Sequence, residues 1–231
     1  MAYGAYFYSG SLGWVTPDMT PMHFDKKITT TVTMESGAIG AWVSTGIASS
    51  VVMIPFVQVE GANSNVTIET VVRNGVWQIE FGRGSGTTPV ATFTARIYIF
   101  RTVVPQPLPD WGIAIFNSSE QCILTNETNP LRITESLTLQ KGALNVPAQT
   151  KTYQNKSMAV YPCSTGYTAG TINSGGSGPP LVVQAWSAYC AQKKGNDTLI
   201  TPAYVKGTSG AINYYFSPSI MTYVIDTSFY D

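Results

Sequence analysis

The sequence predicts an all-β protein made of two tandem β-sandwich domains that arose by internal duplication. Three observations carry this expectation. Apolar residues recur with period two rather than 3.6. Gly, Asn and Pro punctuate the chain at short intervals. A stretch near the N-terminus is written again near the middle.

The strands can be read in order. Ile28–Met34 (ITTTVTM) sets Ile28, Thr30, Val32 and Met34 on one face, with only Thr on the other. Asn65–Val71 (NVTIETV) alternates Val66, Ile68 and Thr70 against Thr67, Glu69 and Val71. Trp77–Phe81 (WQIEF) groups Trp77, Ile79 and Phe81, with Gln78 and Glu80 opposite, and Arg96–Phe100 (RIYIF) is a further β-rich run. Between two of these lies Arg73-Asn-Gly-Val76, a hairpin signal, because Asn-Gly accepts the positive φ angles of a type I′ turn. Ile212–Phe216 (INYYF) and Met221–Ile225 (MTYVI) read as the later counterparts of Trp77–Phe81 and Arg96–Phe100. Many short strands joined by such turns make a sandwich the default architecture.

The repeat is specific. Tyr3-Gly4 lies over Trp111-Gly112, Phe7-Tyr8 over Ile115-Phe116, Ser9 over Asn117 and Ser11 over Ser119. After one inserted residue, Thr16 meets Thr125 and Pro21-Met22 meets Pro130-Leu131. Further on, Val32–Ile39 (VTMESGAI) lies over Leu137–Leu144 (LTLQKGAL). Each first block reads as strand, polar turn and strand, ended by a proline that stops pairing. Residues 103–109 (VVPQPLP) have the composition of a stiff extended connector. The expected organisation is therefore a first sandwich at 1–104, a linker at 105–109 and a second sandwich at 110–231. A loop insert at about 163–197 lengthens the second copy and includes the run NSGGSGPP.

Composition restricts the function classes. Charged residues are 11 % of 231, against about 25 % in an ordinary soluble protein, and 13 basic residues balance 13 acidic ones. With no basic run, nucleic acid is not an expected partner. The longest apolar run, near Val51–Val59, is too short to span a bilayer, so no membrane insertion is expected. A neutral, weakly charged surface favours assembly with other copies or partners. No basic-then-apolar leader opens the chain, and the three cysteines form no CxxC pair, so neither zinc nor a disulfide framework is implied.

Catalytic constellations are sparse. His23 is the one histidine, which rules out a metal site of several imidazoles, and it reads as a polar strand-end residue. Glu69 and Glu80 are able to project from neighbouring strands of the Asn74-Gly75 hairpin, but they lie on the polar face, as a solvated surface would. The glycine-rich pieces at 82–87 and 175–178 fit neither a phosphate-binding loop nor a nucleophile elbow. No catalytic residue, metal or cofactor is assigned. Aromatic residues remain: Tyr161, Tyr167, Trp186 and Tyr189 around the insert, and Tyr214 and Tyr215 in the late strand. Tyr and Trp give stiff contact area with a polar tip, so these six are the receptor-contact candidates.

At the paired blocks, with Tyr3, Gly4, Phe7, Tyr8, Ser9 and Pro21 and again Trp111, Gly112, Ile115, Phe116, Asn117 and Pro130, the chain resembles small tail-tip or tail-fibre-associated proteins of tailed bacteriophages of the siphophage type. The resemblance covers about 22 residues per copy. It implies a non-enzymatic virion protein of the tail, assembled in the host cytoplasm, that binds other phage tail proteins and a protein or polysaccharide receptor on the host cell. A homo-oligomer, a trimer among the possible forms, is implied as well. The first copy is expected to dock on the virion and the second to reach the receptor. The alternatives are a purely structural decoration or collar protein, or a carbohydrate-binding β-sandwich module.

Overall fold

A computed structural model describes residues 21–34, 40–62, 66–83, 92–102, 110–117, 119–138, 150–172, 181–204, 211–216 and 221–231. The first repeat block and the proline-rich linker lie outside the described residues. The chain is all-β: β1 (His23–Thr33), β2 (Gly40–Ala48), β3 (Met53–Glu60), β4 (Val66–Arg73), β5 (Val76–Arg83), β6 (Thr92–Arg101), β7 (Ala114–Phe116), β8 (Cys122–Thr125), β9 (Glu135–Thr138), β10 (Lys151–Tyr153), β11 (Met158–Val160), β12 (Ser164–Ile172), β13 (Leu181–Lys194), β14 (Asp197–Tyr204), β15 (Ala211–Phe216) and β16 (Met221–Asp226). Thr227–Phe229 then forms one 3₁₀ turn, capped by the Asp226 side chain accepting from Ser228 N.

Local chemistry explains the first strands. In β1 the alternation holds: Val32 is buried, and Thr29, Thr31 and Thr33 are exposed. The β4–β5 hairpin turns at Asn74 and Gly75, with φ of 51° and 73°, the left-handed pair that a type I′ turn requires. Ile79 and Phe81 are fully buried beside Ile68, while the indole of Trp77 donates to Val51 O at 2.9 Å.

Strands from both sides of the expected linker share one eleven-stranded sheet. Along one edge β3 pairs with β6 from Met53↔Arg101 to Glu60↔Thr94. Along its other edge Val57 pairs with Val160 of β11, and Val59 and Glu60 run parallel to Gln192 and Lys193 of β13. Gln58, buried between them, donates from Nε2 to Met158 O at 2.9 Å and to Ser157 Oγ at 3.0 Å. A second seam lies where the chain leaves the repeat blocks. His23 bridges Pro130, Phe24 N donates to Asn129 O at 2.8 Å, and Leu131 N donates to Met22 O at 2.9 Å.

Packing closes both seams. Phe56, Tyr98 and Phe100 from the first half form one buried cluster with Ala159, Ile225 and Tyr230 from the second. The Tyr230 ring meets Phe100 edge-on at 4.9 Å and Phe24 at 5.4 Å, and its hydroxyl donates to Pro130 O at 3.0 Å. Each such ring, fully buried, contributes about 1.5–3 kcal/mol. A larger cluster around Val57, Ile68, Phe81 and Ile97 fills the first half and takes in Cys190 of β13. A third, around Tyr153, Met158, Tyr189 and Ile200, fills the second.

The stretch expected as a loop insert at 163–197 is instead built mostly of strand. β12 and β13 pair antiparallel from Ile172↔Leu181 to Ser164↔Ala188, and β12 also pairs with β15. Backbone donors and acceptors here are satisfied by ladders, which an open loop would leave to water.

Candidate functional site

Two three-stranded antiparallel ladders can be followed in each half. In the first, β1 pairs β6 and β6 pairs β3, while β2 pairs β5 and β5 pairs β4. In the second, β9 pairs β16 and β16 pairs β11, while β10 pairs β14 and β14 pairs β13. β12 and β15 lie outside both ladders of the second half. They extend the second half outward from β13, in the order β13–β12–β15.

Three of the six aromatic candidates, Tyr167, Tyr214 and Tyr215, fall on β12 and β15, and a fourth, Trp186, falls on the adjoining β13. Tyr167 of β12 stands opposite Trp186 of β13 and also opposite Phe216 of β15. Residues directly opposite across an antiparallel ladder share a face, so Trp186, Tyr167 and Phe216 form one cross-strand row. Two positions along on that face, Ala169 stands between Gln184 and Tyr214. Tyr215, opposite Thr168, belongs to the other face. Phe216 and Gln184 were missed in the sequence. Phe216 was legible there, as the period-two partner of Tyr214 in INYYF.

Of the other two candidates, one is buried and one half-buried. Tyr189 is 3 % exposed and belongs to the cluster with Met158 and Ile200, so its ring is core and not contact surface. Tyr161 is half-buried, 6.2 Å from the Phe56 ring, and burial holds its hydroxyl above the usual tyrosine range.

Of the residues that carry the phage-tail resemblance, those from Tyr3 to Ser9 lie outside the described residues, while Ile115 and Phe116 belong to the β7–β8 ribbon, a separate two-stranded sheet, with Trp111, Gly112 and Asn117 flanking it. Gly112 has φ +128°, and a Cβ there would collide with Asn126 Oδ1, so only glycine fits. Asn117 Oδ1 accepts from Ser119 N at 3.0 Å and from Gln121 N at 2.9 Å, which shapes the turn. The ribbon presents Trp111 (83 % exposed), Ile113 and Phe116 to solvent.

The remaining chemistry is limited. Glu69 and Glu80 do meet, directly opposite each other in the β4–β5 ladder. Burial first, and the Glu80 charge second, push the Glu69 carboxyl above its ordinary value. Glu80 is also opposite Trp42 of β2, whose ring lies 4.0 Å beneath the Arg73 guanidinium. His23 is buried at the start of β1, with Nδ1 3.3 Å from Pro21 O. All three cysteines are free thiols, and burial pushes Cys190 up to about 12. Among the described residues no group of His, Cys, Asp and Glu is placed to hold a metal ion.

The chain matches no protein family, no curated protein and no solved structure.

Proposed function

We propose that this chain is a non-enzymatic virion protein of a phage tail tip or tail fibre, whose second half contacts the host cell surface. The observation that carries the reading is the gathering of Tyr167, Tyr214 and Tyr215 on β12 and β15, paired onto the β13 strand that carries Trp186, an extension without an equivalent among the described residues of the first half. Binding residues grafted onto a repeated scaffold are the usual way one copy gains a function the other lacks. The exposed apolar ribbon at Trp111, Ile113 and Phe116 suits a contact with other tail proteins, since a lone two-stranded ribbon is marginal in water. Assembly in the host cytoplasm, a homo-oligomeric state such as a trimer, and residence in the tail belong to the same reading.

The duplication belongs to it too, and the strand registers support it. The sequence repeat equates Val32 with Leu137, hence Thr33 with Thr138. Thr33 pairs with Thr92 and Thr138 with Met221, which equates Thr92 with Met221 and, three residues on, Ala95 with Val224. Those two pair with Val59 and Val160, so Gln58 corresponds to Ala159. The Val57↔Val160 pair sets Gln58 opposite Ala159, so counterpart faces counterpart. Met22 and Leu131, equated by the repeat, also meet through a hydrogen bond. Two units related by a local two-fold axis would give both coincidences.

The test is competition. Purified full-length chain should bind whole host cells and slow adsorption of virions to them, and antibody to it should label tails. A chain that is absent from purified virions and does not bind cells would sink the reading. A chain found in tails but without effect on adsorption favours the decoration role instead.

A further inference from the structure

We propose that Asn74 is a site of spontaneous covalent modification: the Gly75 nitrogen displaces its side-chain amide, and the product loosens the tip of the β4–β5 hairpin. Asn74-Gly75 is the one Asn-Gly pair in the chain. Glycine has no Cβ to shield its backbone nitrogen, and a Cβ placed on Gly75 would meet nothing within 4 Å. Both residues are exposed. Among the described residues neither the Asn74 amide nor the Gly75 N–H has a hydrogen-bond partner. Elsewhere the same attack is hindered. Asn129 precedes Pro130, whose nitrogen carries no proton. The Asn117 side chain is held by Ser119 and Gln121, and Asn126 Oδ1 accepts from Ile113 N. Asn155 and Asn196 precede Lys156 and Asp197, both of which carry a Cβ.

The step balances with water as its only co-reactant. A bond forms from Gly75 N to Asn74 Cγ, the Cγ–Nδ2 bond breaks, and the Gly75 proton leaves with that nitrogen as ammonia. Water then opens the five-membered imide, its hydroxyl going to one carbonyl carbon and its proton back to nitrogen. Opening at Cγ gives aspartate; opening at the main-chain carbonyl gives isoaspartate, with one extra carbon in the backbone. The tip is placed to open for the attack, since Val72 and Arg73 on its approach are exposed. A lengthened backbone no longer closes the two-residue turn that φ of 51° and 73° define. Two contacts depend on that turn: Ser49 N donates to Gly75 O at 2.8 Å, and Arg73 stacks 4.0 Å from the Trp42 ring. None of this depends on the functional reading above. In an assembled particle, where chains are not replaced, converted hairpins accumulate with age.

The test ages the purified full-length chain, beside a free peptide spanning Val71–Trp77, at neutral and mildly alkaline pH. Peptide-mapping mass spectrometry and isoaspartyl methyltransferase labelling follow each asparagine. Conversion at position 74 is expected to outpace that at Asn117, Asn126, Asn129, Asn155 and Asn196 by about tenfold or more. It should also quicken as pH rises, because the attacking nitrogen must give up its proton. Asn74→Gly keeps a turn that accepts positive φ but has no amide to lose. Aged Asn74→Gly should keep its Tm, while the converted fraction of the parent chain should melt below the fresh protein. A peptide that converts while the folded chain does not would mean that the hairpin holds Asn74 closed, which overturns the proposal. Equal conversion at the other asparagines overturns it as well. A converted chain that melts with the fresh one overturns the loosening of the hairpin.

Discussion

The hydroxyl of Tyr98, in the middle of β6, donates a 2.8 Å hydrogen bond to the side chain of Asp231, 133 positions later. Lys27 Nζ lies 3.1 Å from the same carboxylate oxygen, and Thr227 Oγ1 donates to the other at 3.2 Å. Burial alone would raise the Asp231 pKa, but Tyr98, Lys27 and Thr227 outweigh it and hold the carboxyl below its ordinary value. Tyr98→Phe should therefore cost about 1 kcal/mol at neutral pH. A carboxyl with a depressed folded pKa stabilises above its unfolded pKa and loses that contribution as pH falls through the folded one. The gap between Tyr98→Phe and the parent should thus narrow below about pH 4 in thermal melts. A constant gap would mean that the bond does not engage the ionised carboxylate.

Glu69 has the opposite sign. Its folded pKa is raised, so it holds its proton more tightly when folded and weakens the fold as pH rises past 4.5. Glu69→Gln should raise Tm at pH 7, by about 2–4 °C for each kcal/mol relieved, and the gain should vanish in melts at acid pH. A variant less stable than the parent at pH 7 would assign this carboxylate a partner that stabilises it.

Gln58 bonds Met158 O and Ser157 Oγ and accepts from Arg96 Nη1 at 3.2 Å, all at a buried junction. Gln58→Leu leaves the guanidinium short of an acceptor and the Met158 carbonyl short of a donor. We expect a loss of about 1–3 kcal/mol, measured by urea unfolding. A loss below about 0.5 kcal/mol would place water at that junction in place of the amide.

The cluster of Phe56, Phe100 and Tyr230 draws on both halves, so the chain should melt in one cooperative transition. Phe56→Ala should lower that single transition by about 3–5 kcal/mol without splitting it. Two resolved calorimetric peaks in the parent would speak for halves that fold independently.

Trp111 is 83 % exposed. Trp111→Ser should leave Tm unchanged within about 1 °C, as surface substitutions usually do. It should also reduce incorporation of the chain into tails. Normal incorporation would free the ribbon from the docking role.

Much of the strand content was legible. Period-two alternation in Ile28–Met34 and the Asn74-Gly75 turn depend on neighbouring residues alone, and both appear where expected. Strand β12 was hidden because STGYTAGTI lacks strong alternation, and Gly and Ala do not declare a face. Tyr189 was read as contact surface from its place beside the expected insert, yet it belongs to a buried cluster with Met158 and Ile200, from strands a sequence does not show to be neighbours. The shared sheet was beyond local reading, since it depends on β3 meeting partners a hundred positions away.

That last feature reaches back to the ribosome. The outer edge of β3 is completed by Val160, and Val160 follows Val57 by 160 − 57 = 103 residues. At about 5–20 residues per second, the edge waits on the order of 5–20 s for its partner to be made. During that interval a nascent chain carries an open, apolar strand edge whose nearest match is the same edge on a neighbouring nascent chain of the polysome. The spacing of ribosomes on the message thereby becomes a determinant of yield, and slower initiation should increase the soluble fraction.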